Sequence, residues 1–155
     1  MIMSMRFLAD EMLGKLARWL RMAGLDVAYR RKIADEELLE ISRAESRFLL
    51  TRDTHLIRRC QPDSFLFISR DRLPEQCREF FSRFPNLKSE LAPLSRCVEC
   101  NSALLPVAKE EVRNKVWPYV YEHQESFTTC PSCRRIYWKA THVEKIRDKL
   151  ESLIH

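Results

Sequence analysis

The sequence predicts an α/β domain built on a small parallel sheet flanked by helices, followed by a separate cysteine-rich module. Three observations carry that expectation. Short apolar runs alternate with amphipathic stretches over residues 1–84. A segment with Pro85 and Pro93 and no clear period, 85–95, then breaks the alternation. Beyond it come two Cys-x-x-Cys pairs. Strands that alternate with helices pair in parallel through right-handed crossovers.

The elements follow in order. Arg6 to Ala9 is a short strand. From Glu11 to Ala23, Leu13, Leu16, Ala17 and Leu20 recur at helical spacing, and Gly24 stands where a helix C-cap glycine belongs. Leu25 to Tyr29 is the second strand, Asp35 to Ser46 the second helix, and Phe48 to Thr51 a third strand, apolar throughout as a buried parallel strand should be. His55 to Cys60 is a short helix, Phe65 to Ser69 a fourth strand and Leu73 to Phe84 a fourth helix. In the second module, 103–107, 116–121 and Ile136 to Trp138 are strand-like, and a helix opened by the capping-box pattern Thr141-His-Val-Glu144 ends the chain. The expected domains are 1–90 and 91–155.

Composition narrows the function classes. The chain has 155 residues, 45% hydrophobic and 32% charged, as in a folded domain rather than a disordered one. Its two glycines, Gly14 and Gly24, exclude a glycine-rich phosphate loop. No apolar run approaches the roughly 20 residues of a membrane helix, and no signal-peptide pattern opens the sequence, so the expected location is the cytoplasm and no membrane partner is expected. A net charge of +5 permits a polyanionic partner without requiring one.

Six cysteines in such a chain argue against a disulfide framework. Cys60 and Cys77 read as ordinary thiols. Cys97, Cys100, Cys130 and Cys133 form a quartet that matches the tetrahedral, four-thiolate preference of zinc. A closed sulfur shell leaves no open position, so the ion is expected to be structural. The competing reading, free or redox-active cysteines, fits poorly because a thioredoxin-type motif needs one pair in a βαβ setting.

Acids follow each strand of the first domain: Asp10, Asp35, Asp53 and Asp71. In a parallel sheet these positions share one edge, where ligand sites of open α/β sheets lie. Clustered carboxylates repel, and a hard divalent cation such as Mg²⁺ or Mn²⁺ relieves that repulsion. Asp10, Asp35 and Asp53 also fit helix capping, and for any one of them capping is the stronger reading. Asp71, in Arg70-Asp71-Arg72, fits an exposed ion pair. Lys15, Arg18 and Arg21 on the first helix, and Arg52, are the candidates for contacting phosphates, against the plainer reading of a solvated face. Arg134, Arg135, Lys139 and His142 extend the basic character onto the ribbon, beside Tyr137-Trp138.

The stretch from Arg6-Phe-Leu-Ala-Asp10 to Arg18-Trp-Leu-Arg21 resembles the opening signature of the Mut-seven C-terminal RNase domain family, a PIN-like group. The resemblance continues through Asp35-Glu-Glu-Leu-Leu and Phe48-Leu-Leu-Thr51-Arg52-Asp53. It closes with Arg96-Cys97-Val-Glu-Cys100-Asn101 and Cys130-Pro-Ser-Cys133, then Tyr137-Trp138, covering nearly the whole chain. It implies a PIN-like fold fused to a zinc ribbon and a metal-dependent ribonuclease. Asp10, Asp35 and Asp53 would be the acids that hold magnesium or manganese, with Asp71 in a fourth place. One element departs: Ala140-Thr141-His142-Val143 stands where the family has a Gly-Ser-His-Trp-like turn. The expected function is RNA cleavage, with RNA contacts from Lys15, Arg18, Arg21 and Arg52. The alternative is a non-catalytic RNA-binding or ribosome-associated module; a toxin-like partner of an antitoxin has no support in the sequence.

Overall fold

A computed structural model describes residues 4–139 and 142–154. Four parallel strands, β1 (Arg6–Ala9), β2 (Asp26–Tyr29), β3 (Phe48–Thr51) and β4 (Phe65–Phe67), form one sheet in the order β2-β1-β3-β4. Side chains alternate across it. Phe7, Ala9, Val27 and Leu50 face one side and pack on α1 (Gly14–Met22) and α3 (Leu73–Arg83). Leu8 and Leu49 face the other side, against Leu38 and Leu39 of α2 (Asp35–Ala44) and Leu56 of a short 3-10 turn, Leu56–Arg59. Phenylalanines fill the first layer: the Phe7 ring meets Phe80 at 5.0 Å and Phe84 at 5.2 Å, both edge to face.

The expected strands and helices of this part are present, with their ends adjusted. The first helix is preceded by a separate 3-10 turn, Glu11–Leu13, because the Asp10 carboxylate accepts from the Met12 N–H and caps it. Gly24 ends α1 at φ 98° in a Schellman motif, with Gly24 N–H on the Arg21 carbonyl and Leu25 N–H on the Leu20 carbonyl. The segment 85–95 is not irregular throughout. Pro85–Glu90 is a 3-10 helix that buries Leu87. The chain then runs back along the end of α1, where Ala92 N–H bonds the Ala23 carbonyl and Leu94 N–H that of Met22.

The ribbon is an antiparallel sheet of β5 (Leu105–Val107), β6 (Phe127–Thr129) and β7 (Ile136–Trp138), in that order. Residues 116–121, expected as a strand, instead run into the short helix α4 (Pro118–His123). Pro118 has no N–H to give a ladder, and its fixed φ suits the first helical position, which overrules the β-type residues around it. The central strand β6 takes the vacated place.

The last helix, α5 (His142–Ile154), follows the ribbon in sequence but packs on α3, and Leu153 joins the core of the first sheet. The Thr141 capping box and the side chain of His142 lie outside the described residues. No helix of the described residues is long and apolar enough to cross a membrane.

Candidate functional site

The strand order places a topological switch point between β1 and β3, because the chain leaves β1 toward β2 on one side and leaves β3 toward β4 on the other. A crevice at the carboxyl ends of such strands is where open α/β sheets bind ligands. Asp10 follows β1 and Asp53 follows β3, so these two acids flank the crevice.

Thr51 joins them. Its buried hydroxyl donates to Asp10 Oδ2 at 2.5 Å and accepts the Asp53 N–H at 3.0 Å. Asp10 Oδ2 also takes the Arg52 N–H at 2.8 Å, and Oδ1 takes that of Met12 at 3.0 Å. The Asp10 carboxylate is thus only 6% exposed and fixed by three donors, which leaves about one of its four lone-pair directions open. Asp53 Oδ1 caps the following turn through the N–H groups of His55 and Leu56, and Oδ2 carries no hydrogen bond among the described residues. Both acids thus cap the turns that follow them, as expected.

Asp35 and Asp71 stand differently. Asp35 is the first residue of α2, half-buried, with no hydrogen bond or ion pair among the described residues. Asp71 is exposed and paired with the Arg52 guanidinium. Among the described residues, the four acids do not gather into a group of three or more metal-ligating side chains; the cysteine quartet is such a group. A cation held by one or two carboxylates, several waters and a substrate phosphate is nevertheless the usual habit of Mg²⁺, and Asp10 with Asp53 fits that sparse donor set.

The basic residues separate into two roles. A cleft of ≈ 1010 Å³ is lined by Lys15, Arg18, Arg21, Arg31, Arg52 and Arg72 and, of the four acids, by Asp71. Lys15 and Arg18 are exposed, one helical turn apart, and Arg18 meets Glu99 at 2.7 Å. Arg21 also borders the cleft, but from a buried position. It is buried at 6% exposure, with Nε on the Val27 carbonyl at 2.7 Å and Nη1 on those of Val98 and Glu99 at 3.0 and 3.2 Å. Its charge ties α1, β2 and the first cysteine turn together.

In the second site, the Sγ atoms of Cys97, Cys100, Cys130 and Cys133 all lie within 4.8 Å of one another. The Cys97–Cys133 separation is 3.7 Å, close to the ~3.8 Å edge of a tetrahedron with Zn–S of about 2.3 Å. The two turns are built alike. Cys100 N–H points at Cys97 Sγ and Cys133 N–H at Cys130 Sγ, both at 3.4 Å. The next residue of each turn, Asn101 or Arg134, is left-handed, with φ 66° and 63°. Tyr137 hydroxyl approaches Cys97 Sγ at 3.2 Å. Thiols so crowded do not ionise together. Hydrogen bonding with Cys133, with burial behind it, pushes Cys100 up to about 12. Burial also opposes ionisation of Cys130, but the N–H groups of Cys133 and Ser132 outweigh it and bring Cys130 down to about 6. A dication is what makes four thiolates compatible at this distance.

Asn101 connects the cysteine turn to the first sheet. Its side-chain oxygen accepts the Val27 N–H at 2.9 Å, and its amide donates to Asp26 Oδ1 at 2.6 Å. β2 is an edge strand, so the cysteine turn supplies the partner that an edge otherwise lacks. Arg47 completes the knot on Asp26 at 2.7 Å. Thr51 and Asn101 were not singled out as working residues, although both lie within the motifs that carry the family resemblance. The signal for Asn101 was available: a left-handed position after a Cys-x-x-Cys turn favours Asn over most residues.

A small parallel sheet with acids at its switch point, bearing a four-cysteine ribbon of the zinc-binding type on its edge, defines a PIN-like α/β protein with an attached zinc ribbon. The Mut7-C RNAse domain family model matches residues 5–150, and the chain belongs to that family. No curated protein and no solved structure matches the chain.

Proposed function

We propose that the protein is a metal-dependent ribonuclease whose centre lies at the β1–β3 switch point. The supporting observation is the Asp10–Thr51–Asp53 linkage beside a cleft lined by cations, in a chain of an RNase-domain family. Asp10 and Asp53 would hold one Mg²⁺ or Mn²⁺, with Asp35 as a third candidate acid; when bound, such an ion activates water and offsets charge on the phosphodiester. Thr51 keeps the Asp10 carboxylate turned toward the crevice. Lys15 and Arg18 hold the strand by its phosphates. Arg52 exchanges its Asp71 partner for a substrate phosphate, an exchange of one charge-assisted pair for another. The Cys97, Cys100, Cys130, Cys133 centre holds zinc as a structural ion.

A second reading, a non-catalytic RNA-binding module, has its own support: Asp10 is largely engaged by internal donors and the acids are not gathered. Cleavage of a fluorescent single-stranded RNA with Mn²⁺ separates the two. The wild type is expected to cut it, with Asp10→Asn and Asp53→Asn each at least 100-fold slower, about 2.7 kcal/mol in the barrier. Equal rates in wild type and both variants would mark the activity as a contaminant and leave the binding module standing.

A further inference from the structure

The cation-lined cleft does not end at Arg18. Arg18, Val98 and Glu99 also border a second groove, ≈ 870 Å³, that runs over the ribbon between α1 and β7. Its walls carry Lys115, Trp117, Arg134, Arg135 and Trp138. Trp117 is 79% exposed, an unusual state for the largest apolar side chain, and nothing in the fold requires it: it only precedes Pro118 at the start of α4. Trp138 is half-buried, leans on Phe127 at 6.4 Å and lines the groove. Lys115, Arg134 and Arg135 are exposed, and none takes part in an ion pair among the described residues. The acid on the wall, Glu99, is already held by Arg18.

Exposed aromatics between unneutralised cations are the two parts of a single-strand platform: the rings stack on bases and the cations follow the phosphates. A duplex hides its base faces and offers nothing to Trp117. An acidic peptide would satisfy the cations but not the indoles. We propose that the ribbon groove is a subsite for single-stranded RNA, in which Trp117 and Trp138 stack on unpaired bases while Lys115, Arg134 and Arg135 lead the strand past Arg18 into the cleft. The subsite rests on the ribonuclease reading for its choice of RNA. It makes the ribbon a strand guide as well as a metal-stabilised appendage.

The test uses the full zinc-loaded chain without added Mn²⁺ and a fluorescein-labelled RNA of about 12 nucleotides, within the roughly 4–16 that one such surface covers. Fluorescence anisotropy should show tighter binding of the single strand than of the same-length duplex. Trp117→Ala should weaken it ~5-fold or more, the loss of one stacked base. Lys115→Glu with Arg135→Glu should weaken it at least as much and flatten its salt dependence. Both variants sit on exposed side chains, and unchanged zinc content with an unchanged melting temperature confirms that they fold. With Mn²⁺, Trp117→Ala should raise KM for the long strand and leave cleavage of a trinucleotide unaltered. Affinity indifferent to both variants overturns the subsite, as does displacement by polyglutamate as effective as by unlabelled strand. A protein that binds single strands through Trp117 yet cuts nothing retires the nuclease reading and keeps the subsite; one that cuts RNA with no dependence on Trp117 does the reverse.

Discussion

Thr51 has no exposed surface, and its one hydroxyl serves two acids in opposite roles, as donor to Asp10 and acceptor from the Asp53 N–H. Thr51→Val keeps the shape and removes both bonds. It should cost about 1–3 kcal/mol in urea unfolding, because it leaves the Asp53 N–H in need of a new partner, and Thr51→Ser should restore most of it. Arg21 is the other residue whose removal tells. Arg21→Met fills the same space but strands the carbonyls of Val27, Val98 and Glu99, so a loss of about 2–4 kcal/mol is expected by the same measurement, with zinc retention falling alongside. Arg21 illustrates what a sequence conceals at this scale. Lys15, Arg18 and Arg21 look like one basic face, yet at 3.6 residues per turn a step of six residues rotates by about 120° away from its start. That rotation turns the Arg21 guanidinium into the joint with β2, at the buried border of the cleft. The acids were easier to read, because any Asp just after a parallel strand lies at the same edge whatever else it does.

At the scale of elements, the joint between α1, β2 and the first cysteine turn governs two expectations. Gly24 is left-handed, and a Cβ there would stand 2.4 Å from the Ala92 carbonyl oxygen. Gly24→Ala is therefore strained twice, by its φ and by backbone that cannot step aside, and should cost about 2 kcal/mol or more in a thermal melt. Asp26, at the head of β2, is the charged half of the joint. Burial alone would raise its pKa, but hydrogen bonds from Arg47 and Asn101 and the charges of Arg47 and Arg96 outweigh that and hold it below the usual carboxylate value. A depressed folded-state pKa gives stability that is complete above the unfolded value, near 3.9, and lost as pH falls through the folded one. Unfolding midpoints should thus decline as pH drops below about 4, and Asp26→Asn should flatten that decline while lowering stability at neutral pH. Helix and strand assignments in the first 84 residues were legible because period and length agree there. The α4 region was not, since its Tyr-Val-Tyr run favours a strand while a single proline decides for a helix.

Across the whole molecule, the metal centre and the sheet share one set of hydrogen bonds through Asn101 and Arg21. Removing the ion with a strong chelator should therefore do more than melt the ribbon. Amide exchange is expected to speed up in β2 as well as in residues 97–138, and RNA cleavage should fall although no acid has been touched. Exchange confined to the ribbon would show that the two parts are energetically separate. Cys130→Ser should reproduce the chelated state without a chelator. The ribbon was the most legible feature of the sequence, because four cysteines at such spacing admit few arrangements. Its docking was not, because Asn101 and Arg21 lie in motifs far apart in sequence and nothing there says that both meet β2.

One consequence of the return of α5 to α3 concerns chain entropy. These helices pack together although the entire ribbon lies between them in sequence, so the ribbon is a loop whose two ends must meet. Closing a loop costs more as it lengthens, by about 0.6 kcal/mol for each doubling. A metal held by the four cysteines would cross-link positions 36 residues apart within that loop, and so remove more than half of its slack before α5 ever docks. Such an ion would favour a helix that supplies none of its ligands, and an apo chain should show α5 fraying from α3.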